Sequence, residues 1–332
     1  MQALPVLSVG PRRPTGRVSV VDVAGLVDGV LAGERRAVAR AISAVEDDAP
    51  ELAELSAGIY PETGRAATIG LTGAPGVGKS TLAGELVRIA RAADLRAAVL
   101  AVDPTSPYTG GALLGDRVRM QDHAVDPGVF IRSMATRGHL GGMALAAPEA
   151  VRILDAAGYD VIFVETVGVG QAEVDVAAAT DTAVVVMAPG MGDAVQMAKA
   201  GILEAADVFV VNKADRDGAP DVAKELRQML HMGAARDWHP PVLLATSAKA
   251  EGVEEVWAAI REHREGAEAS GALAAKRRAR LLREAESLAA ERFRVKAADA
   301  LEQDPALGDD LAERRIDPYA AAQELLRRAG GN

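Results

Sequence analysis

Gly73-Ala74-Pro75-Gly76-Val77-Gly78-Lys79-Ser80 fits the spacing G-x-x-x-x-G-K-[ST], and that spacing does phosphate chemistry. Glycines let the backbone curl until successive N–H groups point inward at phosphate oxygens. Lys79 supplies a point charge for the β- and γ-phosphates, and the hydroxyl of Ser80, followed by Thr81, is a candidate ligand for Mg²⁺. The motif has meaning only between a strand and a helix. Ala66 to Leu71 is the short apolar run before it, and Ser80 to Ala93 puts Leu82, Leu86, Val87 and Ile89 at helical spacing after it. The start of that helix adds the positive end of its dipole.

Asn212-Lys213-Ala214-Asp215, directly after the apolar run Val208 to Val211, chooses the base. A carboxylate there accepts from both N1–H and the exocyclic amino group of guanine, whereas adenine offers an acceptor at N1 and no 2-amino group. Asn212 is expected to tie the base loop to the phosphate loop, with the Lys213 stem along the base face. Thr246-Ser247-Ala248-Lys249 fits a companion loop, in which backbone N–H groups of Ser247, Ala248 and Lys249 meet the guanine O6. Together these motifs predict a site for GTP and GDP.

The metal side is carried by carboxylates at strand ends. Glu165-Thr166-Val167-Gly168 stands where nucleoside triphosphatases hold a magnesium-side carboxylate and a glycine whose N–H meets the γ-phosphate, with glutamate in place of the usual aspartate. Asp103 and Asp116 are further candidates; each also fits a turn or cap, and Mg²⁺ keeps several waters, so one can act through water. The candidate catalytic set is Lys79, Asp116, Glu165 and Gly168, and the candidate metal set is Ser80, Asp103, Asp116 and Glu165. Val169 follows Gly168, so the glutamine that orients water in small GTPases is missing and slow basal hydrolysis is expected. Gln171 lies close by, as a water-positioning group or an exposed polar residue. Arg137 fits a phosphate contact or a surface loop, and Gly192 to Lys199 a nucleotide-sensing loop or an ordinary connection.

These residues need an open parallel sheet to bring them together. From residue 66 the chain alternates strand and helix, and the runs Ala97 to Val102, Val129 to Ile131, Val161 to Val164, Ala183 to Met187, Val208 to Val211 and Val242 to Ala245 are near-continuously apolar, as strands buried on both faces are. The predicted fold is an α/β P-loop NTPase: a mostly parallel sheet with helices on both faces, plus helical extensions at both ends. Two or three helices precede the sheet, with Asp22 as a candidate N-cap and Pro50 as a break. A long Ala- and Arg-rich helix runs from about Ala267 to Gln303, with Leu273, Leu281, Leu282, Leu288 and Phe293 on its apolar side, and Asp317-Pro318-Tyr319 starts a last one ending near Arg328. The expected division is an N-terminal helical extension (1–62), a GTPase domain (63–266) and a C-terminal helical extension (267–332) suited to dimerisation.

Composition excludes other classes. Apolar residues make up 49% and aromatic ones 3%, so the core is aliphatic. A net charge of −10 argues against a nucleic-acid partner, and the basic run Lys276-Arg277-Arg278 is expected to be a solvated helix face. The absence of cysteine removes disulfides and thiolate metal sites, and with only 5 histidines it makes a nickel-insertion GTPase a poor alternative. No run of about 18 uncharged apolar residues is present, and no membrane partner is expected. A cytoplasmic location follows.

Over about residues 20 to 328 the sequence resembles the MeaB/ArgK family of GTPases. The resemblance rests on the phosphate loop, Ala101-Val102-Asp103-Pro104-Thr105-Ser106, Leu114-Gly115-Asp116-Arg117, Thr136-Arg137-Gly138, Gly192-Asp193 and, most specifically, Glu165-Thr166-Val167-Gly168-Val169-Gly170-Gln171. It implies a Mg²⁺-dependent GTPase, usually a homodimer built with its C-terminal helices, that acts as a chaperone for an adenosylcobalamin-dependent methylmalonyl-CoA mutase. Such proteins gate cobalamin loading and protect the mutase. The family's G-D-E-L-Q pattern with paired basic residues departs here to Gly192-Asp193-Ala194-Val195-Gln196, and Lys199 is followed by Ala200, so one acid and one base are missing. An ATPase or kinase linked to amino-acid transport, suggested by the ArgK name, is the alternative that Asp215 argues against.

Overall fold

A computed structural model of the chain describes residues 22–104, 125–136, 142–166, 172–190, 202–232 and 237–330. Seven parallel strands form one sheet: β1 (Ala67–Thr72), β2 (Ala97–Pro104), β3 (Val129–Thr136), β4 (Val161–Thr166), β5 (Thr182–Met187), β6 (Val208–Val211) and β7 (Val242–Leu244), in the order β3-β2-β4-β1-β5-β6-β7. The predicted α/β sheet of the P-loop NTPase type is therefore the observed one. β1 is central. The chain leaves it toward β2 on one side and, after β4, crosses to β5 on the other, which opens a crevice at the carboxyl end of β1 where such sheets bind ligands.

Strand alternation sorts the apolar residues into two covered faces. Ile69, Leu71, Ala97, Val99, Val161 and Phe163 share a core with Leu82 and Leu86 of helix α4 (Lys79–Ala92). Ala98, Leu100, Val102, Ile162 and Val164 face the other way. That second face is covered by three N-terminal helices, α1 (Val23–Leu31), α2 (Arg35–Glu46) and α3 (Leu52–Ile59), and by α5 (Gly142–Ala156). Asp22 caps α1, its Oδ1 accepting from the Gly25 N–H at 3.0 Å. Helix α6 (Ala172–Ala179) lies over β1, close enough that a Cβ at Gly70 would meet Val176 and Thr180. Short α7 (Ile202–Ala205) precedes β6, and α8 (Ala219–Met232) closes a third cluster around Met187, Phe209 and Val211.

The C-terminal helical run breaks at Gly271, whose φ of 76° suits glycine, into α9 (Val253–Ala269) and α10 (Ala272–Gln303). α11 (Pro305–Ala312) and α12 (Pro318–Gly330) follow. α12 is capped by Asp317, which accepts from Tyr319 N at 2.8 Å and Ala320 N at 3.1 Å. The basic run at the start of α10 differs from expectation: only Arg278 is exposed. Lys276 bonds the Asp181 carbonyl and the Asp207 carboxylate, and Arg277 bonds the Asp181 carboxylate and the Gly64 and Ala66 carbonyls. The cause is that the strand entrances offer carbonyls and two carboxylates which sequence spacing does not reveal. Burial pushes both carboxyls up, yet Arg277 with Arg280 beside Asp181, and His263 with Lys276 beside Asp207, hold each below the ordinary carboxylate value.

Among the described residues no helix is long and apolar enough to cross a membrane.

Candidate functional site

The phosphate loop closes between β1 and α4, and two of its glycines are forced by close approach. At Gly73, φ is 136° and an added Cβ would lie 2.1 Å from the Val186 carbonyl oxygen of β5. At Gly78, φ is 101° and a Cβ would lie 2.4 Å from Asn212 Nδ2. Only glycine meets both conditions. Pro75 and Gly76 are exposed at the rim, whereas Val77 is fully buried and anchors the loop in the α4 core. Lys79 is buried, and its Nζ donates to the Gly73 carbonyl at 2.7 Å and the Ala74 carbonyl at 3.1 Å, so its ammonium lies inside the loop.

Behind the lysine the helix presents Ser80, whose Oγ donates to Glu165 Oε1 at 2.6 Å. The register explains this meeting. Leu71 pairs with Glu165, so the end of β4 stands beside the strand that feeds the phosphate loop, and the extra methylene of glutamate spans the remaining gap. Both residues are buried, and together they present hard oxygen donors. That donor set fits Mg²⁺.

Beyond the Gly73–Ser80 loop, Asn212 joins three segments. Its Nδ2 donates to the Val77 carbonyl at 2.8 Å, and its Oδ1 accepts from Ser247 N at 3.0 Å and Ser247 Oγ at 2.9 Å. Lys213, in the left-handed region at φ 56°, sends its Nζ 2.6 Å from the Gly76 carbonyl, so its stem crosses from the loop after β6 to the Gly73–Ser80 loop. Ala214 N donates to the Ala245 carbonyl at 3.0 Å. Asp215 pairs with Lys249 at 3.4 Å, with both partly exposed. An open depression of about 260 Å³ is lined by Ala214, Asp215, Thr246 and Glu251 among others.

Gly73 to Ser80, Glu165, Asn212, Lys213, Asp215, Ser247 and Lys249 are thus assembled at one end of the sheet, with Thr81 in the first turn of α4 and Ala248 exposed in the turn between Ser247 and Lys249. Asp103 belongs to the carboxyl end of β2. Asp116, Arg137, Gly168, Gln171 and the loop Gly192 to Lys199 lie outside the described residues. The reading of side chains missed the backbone acceptors, the carbonyls of Gly73, Gly76 and Val77, because every residue carries a carbonyl and spacing cannot single one out.

The family model described as Methylmalonyl Co-A mutase-associated GTPase MeaB matches residues 38–302. The chain belongs to the MeaB family. The match runs from inside α2 to the last turn of α10, so it takes in the whole sheet and the assembled site. A Pyrococcus horikoshii protein named as a GTPase is 48% identical over 310 residues, 92% of this chain and 98% of that one. GTPase ArgK of Escherichia coli is 40% identical over 250 residues, 73% of this chain and 76% of that one. Among solved structures, a crystal structure described as LAO/AO transport system kinase superposes with a TM-score of 0.68 at 26% identity, covering 94% of this chain and 99% of that one.

Proposed function

We propose that this MeaB-family chain is a Mg²⁺-dependent GTPase that serves as a nucleotide-switched chaperone of an adenosylcobalamin-dependent acyl-CoA mutase of the methylmalonyl-CoA type. The observation that carries the reading is the Asn212 bridge, which ties a guanine-selecting loop to a phosphate loop and to Ser247 through three hydrogen bonds. In this reading Gly73 to Thr81 cradle the phosphates, Asn212, Lys213 and Asp215 with Ser247, Ala248 and Lys249 bind the base, and Lys79 neutralises the β- and γ-oxygens. Ser80 and Glu165 hold Mg²⁺, with Asp103 and Asp116 contributing directly or through water. The metal supplies charge for the developing negative charge of phosphoryl transfer.

On binding, the Lys79 ammonium exchanges the Gly73 and Ala74 carbonyls for phosphate oxygens, a stronger charge-assisted pair. Asp116 and Gly168 complete the catalytic set. Hydrolysis by the isolated protein is slow, because Val169 stands where small GTPases carry a glutamine, and the mutase accelerates it.

The nucleotide-binding unit is residues 63–266, with helical extensions at 1–62 and 267–332. Leu281, Leu282, Leu288 and Val295 are exposed along α10, which supports homodimerisation through the C-terminal helices. We place the protein in the cytoplasm.

Calorimetric titration of a methylmalonyl-CoA mutase with the protein loaded with a non-hydrolysable GTP analogue or with GDP tests the chaperone role. Different affinities in the two states, together with altered cobalamin loading, are expected. Equal affinities with no effect on loading or hydrolysis leave a GTPase with another client. Preference for ATP over GTP would instead favour the transport-linked kinase reading that the solved neighbour's description suggests.

A further inference from the structure

Two buried hydroxyls without a hydrogen-bond partner stand side by side among the described residues: Thr72 Oγ1 and Thr166 Oγ1. Both residues are 0% exposed. Each is the last residue of its strand, and the register that pairs Leu71 with Glu165 makes the two cross-strand neighbours. Thr72 immediately precedes Gly73 of the phosphate loop, and Thr166 immediately follows Glu165.

Alternation puts this pair on the sheet face opposite the Ser80–Glu165 contact. Ile69 and Leu71 pack toward α4, whereas Gly70 faces α6 and Val164 packs on that same side with Val176. The row across the sheet at this height reads Val102, Thr166, Thr72, Val185. Valine is therefore accepted on both flanks. It has the shape of threonine and no polar group to satisfy, while a buried hydroxyl without a protein partner is a cost. Two such hydroxyls, adjacent and directly behind the strand ends that carry the phosphate loop and the magnesium-side glutamate, stand where one water can join them.

We propose that Thr72 and Thr166 are positioning residues whose hydroxyls together hold one buried water in the triphosphate-bound state, joining the end of β1 to the end of β4. The inference rests on the GTPase reading above. A buried water needs two to four polar partners, and the pair supplies two of them on adjacent strands. Triphosphate and its metal load Lys79, Ser80 and Glu165 from the front of the sheet. The bridge would fix the same two strand ends from behind.

The test is the double variant Thr72→Val/Thr166→Val beside Thr72→Ser/Thr166→Ser, read by thermal unfolding and by calorimetric affinity for GDP and for a non-hydrolysable GTP analogue with Mg²⁺. The valine variant is expected to unfold, nucleotide-free, at the wild-type temperature or higher, and to lose about five- to tenfold in affinity for the analogue alone, the worth of one or two hydrogen bonds. The serine variant keeps the wild-type preference. If the double variant does not fold, the single Thr166→Val change is read the same way. Equal losses for both nucleotides, or an unchanged preference, overturn the inference while the GTPase reading stands. Wild type that binds neither nucleotide overturns both.

Discussion

Asn212 reaches across 135 positions of sequence to donate a hydrogen bond to the Val77 carbonyl at 2.8 Å. Its other amide atom holds Ser247, so one side chain sets the spacing between the Gly73–Ser80 loop and the loops at Lys213 and Ser247, the segments proposed to hold phosphate and base. A ligand that must touch both ends depends on that spacing.

Asn212→Ala is therefore expected to weaken GDP and GTP alike. It also strands the buried Val77 carbonyl and Ser247 N–H, costing about 1–3 kcal/mol of stability. Urea unfolding and nucleotide titration measure the two effects separately. A variant that keeps wild-type affinity for both nucleotides would show that the loops hold their spacing without it.

Asp215→Asn should exchange base preference. The amide donates where the carboxylate accepted, so GTP weakens while xanthosine triphosphate gains, by about 1–3 kcal/mol each way. Competition binding with the two triphosphates is the measurement. If both weaken equally, Asp215 does not read the base edge.

Glu165→Gln retains the size of the side chain but removes its charge from the oxygen that Ser80 now contacts at 2.6 Å. Mg²⁺-dependent hydrolysis is expected to fall at least tenfold, with GDP affinity changed by less than threefold, since the developing charge lies on the γ-phosphate side. Steady-state turnover across a magnesium series, compared with GDP titration, separates the effects. A parallel fall in GDP affinity would assign Glu165 to loop structure instead.

Acid should loosen the C-terminal helices. Asp181 is held below its ordinary value because Arg277, at 2.6 Å, and Arg280 outweigh its burial. A carboxyl with a depressed folded value contributes stability that is present above the unfolded value near 3.9 and disappears as pH falls through the folded value. Asp207, held low beside His263 and Lys276, adds to the same slope. Unfolding from pH 7 to pH 2 should show a steep loss below about pH 4, flattened in Asp181→Asn. That variant should be about 1–3 kcal/mol less stable at pH 7, because it leaves two half-buried guanidinium groups without their buried anion. An unaltered acid slope would assign the stability loss to other carboxyls.

The glycine-rich loop between β1 and α4 and the all-parallel sheet were legible in the chain because their signals are local. Gly73, Gly78 and Lys79 sit at spacings that backbone geometry requires, and strands buried on both faces read as unbroken apolar runs. The sequence also carried the charge balance and the absence of thiols, which no packing alters. Tertiary structure decided which distant partners meet. Glu165 reaches Ser80 because β4 rather than β2 pairs with β1, and Asn212 finds a carbonyl that no motif distinguishes from its neighbours. Lys276 and Arg277 turn inward because Asp181 and Asp207 stand at the entrances of β5 and β6. Hydrogen bonds and ion pairs act over about 3 Å of space, and spacing along a chain carries that information only within an element; between elements, strand order supplies it.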